Sequence, residues 1–561
     1  MAPSIPQPSD NGRTPAQKNV VRRAQTPPEI PPSQIGTALA CLVMLLWVFA
    51  YTPNPTVLAA VPGLVGLLVL IERCRSWREC VLWTTLFGAV ATGIGYRWLA
   101  QTVQLFGGVQ PAFSWVVVAL FGIWNVFHAW IFAAFYRGLL RGGRRPHPLV
   151  TVALFVGCEA LPLRMFGWMS GHGAVDTPPL IQSAEWGGVV GVSFVLCCLI
   201  VPVHEWLRWA FVRRGAPSRP GAALFTFAIG LALFGWGLWR YGDVRTEERE
   251  ADRHIRMAIA QANVGSLDKR RATEDGGTWQ LESLSRYRRV TAEALKTEPD
   301  VILWPESAIN IPLPMHDARV TSGYLRKNGY EFLLETAKRS ALLVGMYERH
   351  VGRESLATGE RLMSRYNAAG LRPAGGPDEE WQLYRKVHLI PFGETTPFNL
   401  FDTRLPQQFQ MLPGTLPQKL LHLGDVTFAP FLCYEAILPG HVREYVDGER
   451  PDVLVSLTND SWFGDTWEPH QHLNFTRFRA VEHRAPIVRA TNTGISAFVS
   501  ASGDVEDRLG VGQEGALVRD VPLVETRPEP TIYVQFGYRF PYLLWAVALL
   551  AWIIALMRPP E

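Results

Sequence analysis

The hydrophobic and polar positions divide this chain into three kinds of stretch. Residues 1–34 contain almost no apolar run and are rich in Pro, Ser, Gln and Arg, which predicts a disordered tail. Apolar stretches of membrane length follow, at about 35–52, 55–71, 80–100, 112–136, 148–165, 187–207 and 222–240, with one more at 541–557. Between the last two the pattern changes. Ile255–Gln261, Val301–Trp304, Leu342–Met346, Val426–Leu432, Val453–Leu457, Ile487–Ala490 and Ile495–Ser500 predict short strands. Trp279–Leu295 and Gln471–Glu482 predict helices, the first with Leu281, Leu284, Tyr287, Ala294 and Leu295 on one side. The expected architecture is a multi-spanning α-helical membrane bundle of about eight spans plus a layered α/β sandwich. Its boundaries are expected at 1–34 for a cytoplasmic tail, 35–242 for seven membrane helices, 243–538 for the α/β domain and 539–561 for the last helix and a short tail. The Gly- and Pro-rich stretches 350–382 and 399–424 predict irregular, lid-like loops. No internal repeat is visible.

Composition and charge sharpen this picture. At 561 residues, 48% hydrophobic with 20 Trp, the chain is too apolar for a plain soluble enzyme and too polar for a pure membrane bundle. A net charge of +4 makes no case for nucleic acid. The basic residues instead follow topology. Arg13, Lys18, Arg22 and Arg23 precede the first span; Arg73, Arg75 and Arg78 follow the second; Arg137, Arg141, Arg144 and Arg145 the fourth; Arg208, Arg213, Arg214 and Arg219 the sixth. By the positive-inside rule these loops are cytoplasmic and residues 243–538 lie outside the cytoplasm. No cleavable leader is expected, because the first apolar run begins near Ile35 and more spans follow. Glu159 and Arg164, in or at the end of the fifth span, mark either a buried pair or a lipid-headgroup contact.

Seven cysteines in no paired pattern argue against a disulfide framework, and Cys433 is the only one within 243–538. It ends the apolar run Ala429–Leu432, so it reads as a small buried hydrophobe or a nucleophile. Two other strand ends favour the nucleophile. Val301–Trp304 delivers Glu306 just after Pro305, where the ladder is expected to stop. Lys386 and Glu394 flank a short apolar run and a Pro/Gly turn. A thiol needs a base or cation to become a thiolate, and a carboxylate beside a lysine keeps its ammonium in place. His388, two residues beyond Lys386, offers a Cys–His dyad as an alternative. The remaining histidines show no metal-ligand spacing, and His470 and His472 read as polar residues at a helix start. Asn459 and Asp460 are expected to shape a turn through local bonds, with Trp462 and Phe463 either core or a lipid-facing wall.

The stretches WPESA (304–308), YRKVHLIPFGE (384–394), CYE (433–435), LTNDSWFG (457–464) and RAPIVRATNTGISAFV (484–499) resemble the nitrilase superfamily and, within it, its membrane-embedded branch, the apolipoprotein N-acyltransferases. Ordered matches run from about Gln261 to Tyr533, with similar flanking spans. One departure is visible: where the family usually places a Trp after a Lys, Lys269 is followed by Arg270. The resemblance implies an α-β-β-α sandwich and a catalytic trio of Glu306 as general base, Lys386 as oxyanion stabiliser and Cys433 as nucleophile, with Glu394, Tyr434 and Glu435 supporting them. It implies no metal and no organic cofactor. It implies two substrates, a phospholipid acyl donor and a diacylated apolipoprotein acceptor, handled in ping-pong order by a monomer in a bacterial inner membrane, with the catalytic domain on the periplasmic side. Two rivals remain at this point. One is a membrane-anchored amidase of the same trio that hydrolyses a small amide. The other is a transporter or receptor with an inactive extracytoplasmic domain, against which the spans lack repeat symmetry.

Overall fold

The structure, a computed structural model, describes residues 34–140, 145–161, 164–211, 219–265, 278–313, 324–354, 361–375, 381–391, 393–395, 411–446, 450–524 and 529–557. Its first part is helical: α1 (Gln34–Leu45), α2 (Ala60–Arg73), α3 (Trp77–Gly95), α4 (Trp98–Gly107), α5 (Pro111–Asn125), α6 (Phe127–Leu140), α7 (Pro148–Glu159), α8 (Pro178–Ile181), α9 (Ala184–Phe211) and α10 (Pro220–Arg249). Among the described residues four helical stretches are long and apolar enough to cross a membrane: Pro111–Leu140, Ala184–Phe211, Pro220–Arg249 and Arg539–Met557. The other expected spans are built from shorter pieces. Residues 35–52 become the 12-residue α1 followed by a 3-10 turn, Leu46–Tyr51. Residues 55–71 become a 3-10 turn and the 14-residue α2. Residues 80–100 are divided at Tyr96 between α3 and α4, and 148–165 yields the 12-residue α7. Twelve residues rise only about 18 Å against a hydrocarbon core of about 30 Å. Hydropathy counts apolar residues whether or not the helix continues, so it does not tell one long helix from several short ones. The interior of this part is apolar, with Leu68, Phe132, Phe155 and Cys197 fully buried. Arg145 bridges Glu72 and Glu205 at 2.8 Å each, so a basic residue counted as a topology signal also serves as a buried brace. Leu224, Leu231 and Trp239 on α10, and Leu543, Leu550 and Ile553 near the C-terminus, are exposed apolar side chains of the kind that face lipid.

The second part is α/β. One six-stranded sheet runs in the order β12-β1-β2-β3-β4-β5, and the other in the order β11-β10-β9-β8-β7-β6. The strands are β1 (Arg253–Gln261), β2 (Val301–Leu313), β3 (Ala341–Glu354), β4 (Arg361–Arg372), β5 (Gln382–Arg385), β6 (Leu421–Leu423), β7 (Val426–Leu432), β8 (Val453–Thr458), β9 (Ile487–Thr491), β10 (Ser496–Val499), β11 (Val505–Leu509) and β12 (Gly515–Leu523). Each sheet has three parallel strands at its heart, β1-β2-β3 and β7-β8-β9, flanked by antiparallel ones. Alternation sets the layers. In β1, Ile255, Met257 and Ile259 point into the core between the sheets, where they meet Phe428, Val453 and Val455. Ala258 and Ala260 point outward against α11 (Thr278–Ala294) and the neighbouring α12 (Tyr324–Ala337), through Tyr287, Val290 and Leu333. Strands covered on both faces read as continuous apolar runs, which is why they were visible in the sequence. The short α13 (His441–Val446) and the long α14 (Glu468–His483) belong to the other sheet; α15 (Ile532–Phe536) then leads to α16 (Arg539–Met557).

Two expectations change here. The stretch 350–382, read as irregular, contributes the far part of the β3–β4 hairpin, paired from Leu342↔Arg372 to Glu354↔Arg361. Its glycines and polar residues do not stop pairing, because the hairpin draws register from the buried half of β3. In the second stretch, residues 399–410 lie outside the described residues, 411–420 form neither helix nor strand, and 421–423 form β6; Lys269 and Arg270 also lie outside the described residues.

Candidate active site

Glu306, Lys386 and Cys433 each stand at a break in a strand. Pro305 has no N–H to give to the ladder. The β2–β3 pairing jumps from Trp304↔Val344 to Ile309↔Met346, leaving residues 305–308 opposite Gly345 alone. Glu306 is therefore on a bulge, re-aimed out of the sheet, and β2 resumes beyond it to Leu313 instead of ending at Pro305. Gly345 is required there, since a Cβ on it would sit 2.5 Å from Glu306 Cα. Lys386 directly follows β5, its N–H bonded to Asn367 O at 2.8 Å and its carbonyl accepting from Gly414 N at 2.7 Å. Cys433 directly follows β7 and opens the 3-10 turn Cys433–Ile437 with φ at 48°, in the left-handed region that a residue with a Cβ rarely adopts.

The two carboxylates converge on the lysine. Lys386 Nζ lies 3.1 Å from Glu306 Oε1 and 2.8 Å from Glu394 Oε2. Asn367 of β4 donates to Glu306 Oε1 at 2.6 Å and to Glu394 Oε1 at 2.9 Å. Glu306, Lys386 and Cys433 are 4%, 1% and 8% exposed, so these charges interact with little screening. Burial alone would push the Lys386 ammonium down, but Glu306 and Glu394 more than offset it and hold it well above the usual lysine range. Burial raises the Glu306 carboxyl, against the pull of Lys386. Burial and then the Glu306 charge push the Cys433 thiol well up, although Lys386 acts in the opposite sense. Lys386 therefore acts on the thiol in the sense expected of a neighbouring cation, but burial outweighs it.

Glu435 is fully buried and braces the site. Its Oε1 accepts from Val387 N at 2.6 Å and His388 N at 3.1 Å, and its Oε2 from Leu432 N at 2.7 Å and the Tyr384 hydroxyl at 2.9 Å. One carboxylate so ties the strand end before Cys433 to the segment that carries Lys386. Ile390 N donates to Glu394 Oε2 at 3.0 Å, fixing the second carboxylate. His388 does not supply a dyad: its ring packs against His441, centroids 4.8 Å apart. The histidine that bonds Cys433 is His472, whose Nε2 reaches the Cys433 carbonyl at 3.0 Å. Sequence reading missed this, and also missed Asn367, Tyr384 and Asn492, whose amide donates to Glu306 O at 2.7 Å. Asn459 shapes its turn as expected, accepting from Ser461 Oγ at 2.5 Å, but Asp460 reaches further, to His472 and to Arg489 at 2.9 Å each. Asp460, Glu468 and His472 bring ligand atoms within 4.8 Å of one another, despite the expectation of no metal-ligand spacing. Glu468 and His472 are one helical turn apart, and the turn at 460 completes the group. Arg489 already supplies a cation to Asp460 there.

The site adjoins the helical part. Trp98, Tyr96, Phe121 and Trp168 form one buried cluster with Phe463, Phe475 and Ile437. Trp462 packs on Phe106 at 4.3 Å and Phe463 on Trp98 at 4.9 Å, so both belong to this seam. The Tyr434 hydroxyl donates to Met165 O at 3.1 Å. Beside Cys433 the seam leaves a narrow hollow of only about 20 Å³, walled by Tyr96, Trp98, Phe166, Tyr434 and Phe463. Glu159 and Arg164 stand near it without pairing side chain to side chain. Glu159 Oε1 accepts from Ser170 N at 3.0 Å and Oγ at 2.7 Å, while Arg164 donates to the carbonyls of Glu159 and Trp168.

Residues 44–201 match the family model of the apolipoprotein N-acyltransferase N-terminal domain, and residues 256–530 that of carbon-nitrogen hydrolases. An apolipoprotein N-acyltransferase of Bdellovibrio bacteriovorus is 30% identical over 481 residues, 81% of this chain and 82% of that protein. The chain belongs to the apolipoprotein N-acyltransferase family. A second family member, from Haemophilus ducreyi, is 26% identical over 90% of this chain and 93% of its own. Among solved structures, a nitrilase-superfamily amidase of Nesterenkonia covers 53% of this chain and 99% of its own at 20% identity, with a TM-score of 0.36. Family membership and the paired six-stranded sheets make the second part a nitrilase-like α/β domain. With the four long apolar helices they make the chain a membrane protein and an acyltransferase.

Proposed function

We propose that this chain moves an acyl chain from a phospholipid to the α-amine of the N-terminal S-diacylglyceryl cysteine of lipoproteins, through a thioester on Cys433. The observation that carries the reading is the position of the nucleophile: Cys433 stands between the Glu306–Lys386–Glu394 cluster and an apolar hollow shared with the membrane helices. In the first half-reaction Glu306 takes the thiol proton as the sulfur attacks the ester carbon. The carbonyl electrons move to oxygen, where Lys386 and the Tyr434 N–H meet the negative charge. Collapse breaks the ester bond, and the lysophospholipid leaves with the proton from Glu306. In the second half the lipoprotein amine attacks the thioester, Glu306 takes its proton, and the thiol leaves with that proton. Glu394 and Glu435 position the lysine and the nucleophile turn, and Tyr434 joins that turn to the membrane side.

The domain limits 1–34, 35–242, 243–538 and 539–561 are kept as the working division, with eight passes of the chain through a bacterial inner membrane. The α/β domain is assigned to the periplasmic face, because Arg73, Arg137, Arg145 and Arg208 lie at the opposite ends of the apolar stretches. The enzyme is read as a monomer that needs no metal or organic cofactor, with no nucleic-acid partner.

The test is a paired assay of purified wild type and Cys433→Ser. Wild type should release lysophospholipid and N-acylate a diacylated lipopeptide, and the variant should do neither. Substantial transfer by Cys433→Ser would remove Cys433 from the reaction.

A further inference from the structure

Cys433 and Tyr434 share one planar trans peptide, so the Cys433 carbonyl and the Tyr434 N–H point in opposite directions from a single rigid unit. Whatever holds the carbonyl aims the N–H. The carbonyl is held by His472, through Nε2 at 3.0 Å. The other ring nitrogen, Nδ1, lies 2.9 Å from Asp460 Oδ1 and 3.6 Å from Glu468 Oε1. A backbone carbonyl oxygen can only accept, so Nε2 carries the proton of that bond. Asp460 is itself fixed by Arg489 at 2.9 Å, and by Gly494, where a Cβ would come within 2.3 Å of Asp460 Oδ2. His472, Asp460 and Arg489 are 4%, 1% and 0% exposed, so the row is built into the interior. It runs from β9 through the turn after β8 and the first turns of α14 to the nucleophile.

We infer that His472, set by Asp460 and Arg489, is the positioning residue for the oxyanion donor. By holding the carbonyl it keeps Cys433 in its left-handed conformation and turns the Tyr434 N–H toward the place where the acyl oxygen becomes negative. A donor on the carbonyl also polarises the peptide and strengthens that N–H as a donor. The inference rests on the reading of Cys433 as the thioester-forming nucleophile. It gives His472 no proton to transfer: Glu306 remains the base.

Two reactions of the same thiol separate this role from others. Acylation by phospholipid builds an oxyanion; alkylation by iodoacetamide displaces iodide at a saturated carbon and builds none. Both are measured on the full-length detergent-purified chain as wild type, His472→Leu and His472→Gln. In His472→Leu, lysophospholipid release and lipopeptide acylation should each fall by about 10²-fold or more, the loss typical of an oxyanion donor. The fall should be in kcat with KM little changed, and alkylation should proceed at nearly the wild-type rate. His472→Gln, whose amide can still donate to the carbonyl, should recover a large part of the acylation. The inference is overturned if His472→Leu acylates at nearly the wild-type rate, or if acylation and alkylation fall in step in both variants. If wild type itself forms no adduct on Cys433, the nucleophile reading fails first, and the inference with it.

Discussion

Glu306 works from a bulge that Pro305 and Gly345 create, and burial raises its carboxyl above the ordinary carboxylate value. A general base must be ionised, so the acylation rate should rise with pH through that raised value. The acid limb should therefore lie above the usual ~4.3 of a glutamate. Glu306→Gln should lose about 10²-fold or more and show no such limb; a limb that persists in this variant would assign it to another group. The stability sign agrees: the folded state holds the Glu306 proton more tightly than the unfolded chain, so this contribution is present at low pH and lost as pH rises through the raised value. Lys386→Ala should cost a similar factor in rate, not additive with Glu306→Gln, because both groups serve one step. It should also destabilise the fold by about 3–5 kcal/mol, since Glu306 and Glu394 lose their buried cation. Near-normal turnover in either variant would break the assignment. The three strand-end residues were legible because apolar runs stop at them. Asn367 and His472 were not, because their partners come from distant parts of the chain and their neighbours carry no periodic signal.

At the scale of elements, α14 joins the two parts. It is buried along nearly its whole length although it carries Arg477, Arg479, Glu482 and six other ionisable or amide side chains. Such a composition reads as a solvated helix, so the sequence indicated a helix there but not what it touches. Its polar side chains are spent across the seam. Gln471 accepts from Trp98 Nε1 at 3.0 Å and donates to Tyr51 O at 2.7 Å and Gly95 O at 2.9 Å. Arg477 reaches Asp176 at 2.5 Å, and Arg484, just beyond the helix, reaches Glu185 at 2.7 Å. Gln471→Leu would leave the Trp98 N–H and two carbonyls unpaired, each at about 1–3 kcal/mol. Thermal unfolding in detergent should shift clearly downward; an unchanged Tm would mean that these bonds do not hold the seam. The β3–β4 hairpin teaches the opposite lesson. Its polar far end looked like a loop because strand propensity is weak there, yet the register set by the buried end carries through.

At the scale of the molecule, α10 is 30 residues long, about 45 Å at 1.5 Å per residue, and so outreaches the hydrocarbon core. Its C-terminal turns meet the α/β domain, with Tyr241 donating to Asp504 at 2.7 Å and Glu248 accepting from Ala501 N at 2.6 Å. A continuous helix fixes the domain against the bundle, which keeps the Cys433 hollow on the seam. Reporter fusions within 243–538 should be active only outside the cytoplasm, and fusions near 73–78, 141–147 and 208–219 only inside; one clean reversal would overturn the orientation. The most direct test of the central claim is mass spectrometry of the chain after incubation with phospholipid alone, followed by a chase. The account predicts one acyl group on the peptide containing Cys433. That group should persist in buffer, because the nucleophile opens on an apolar hollow, and should leave when a diacylated lipopeptide is added, appearing on its amine. Loss of the group to water at the same rate with or without lipopeptide, or no adduct at all, would contradict it.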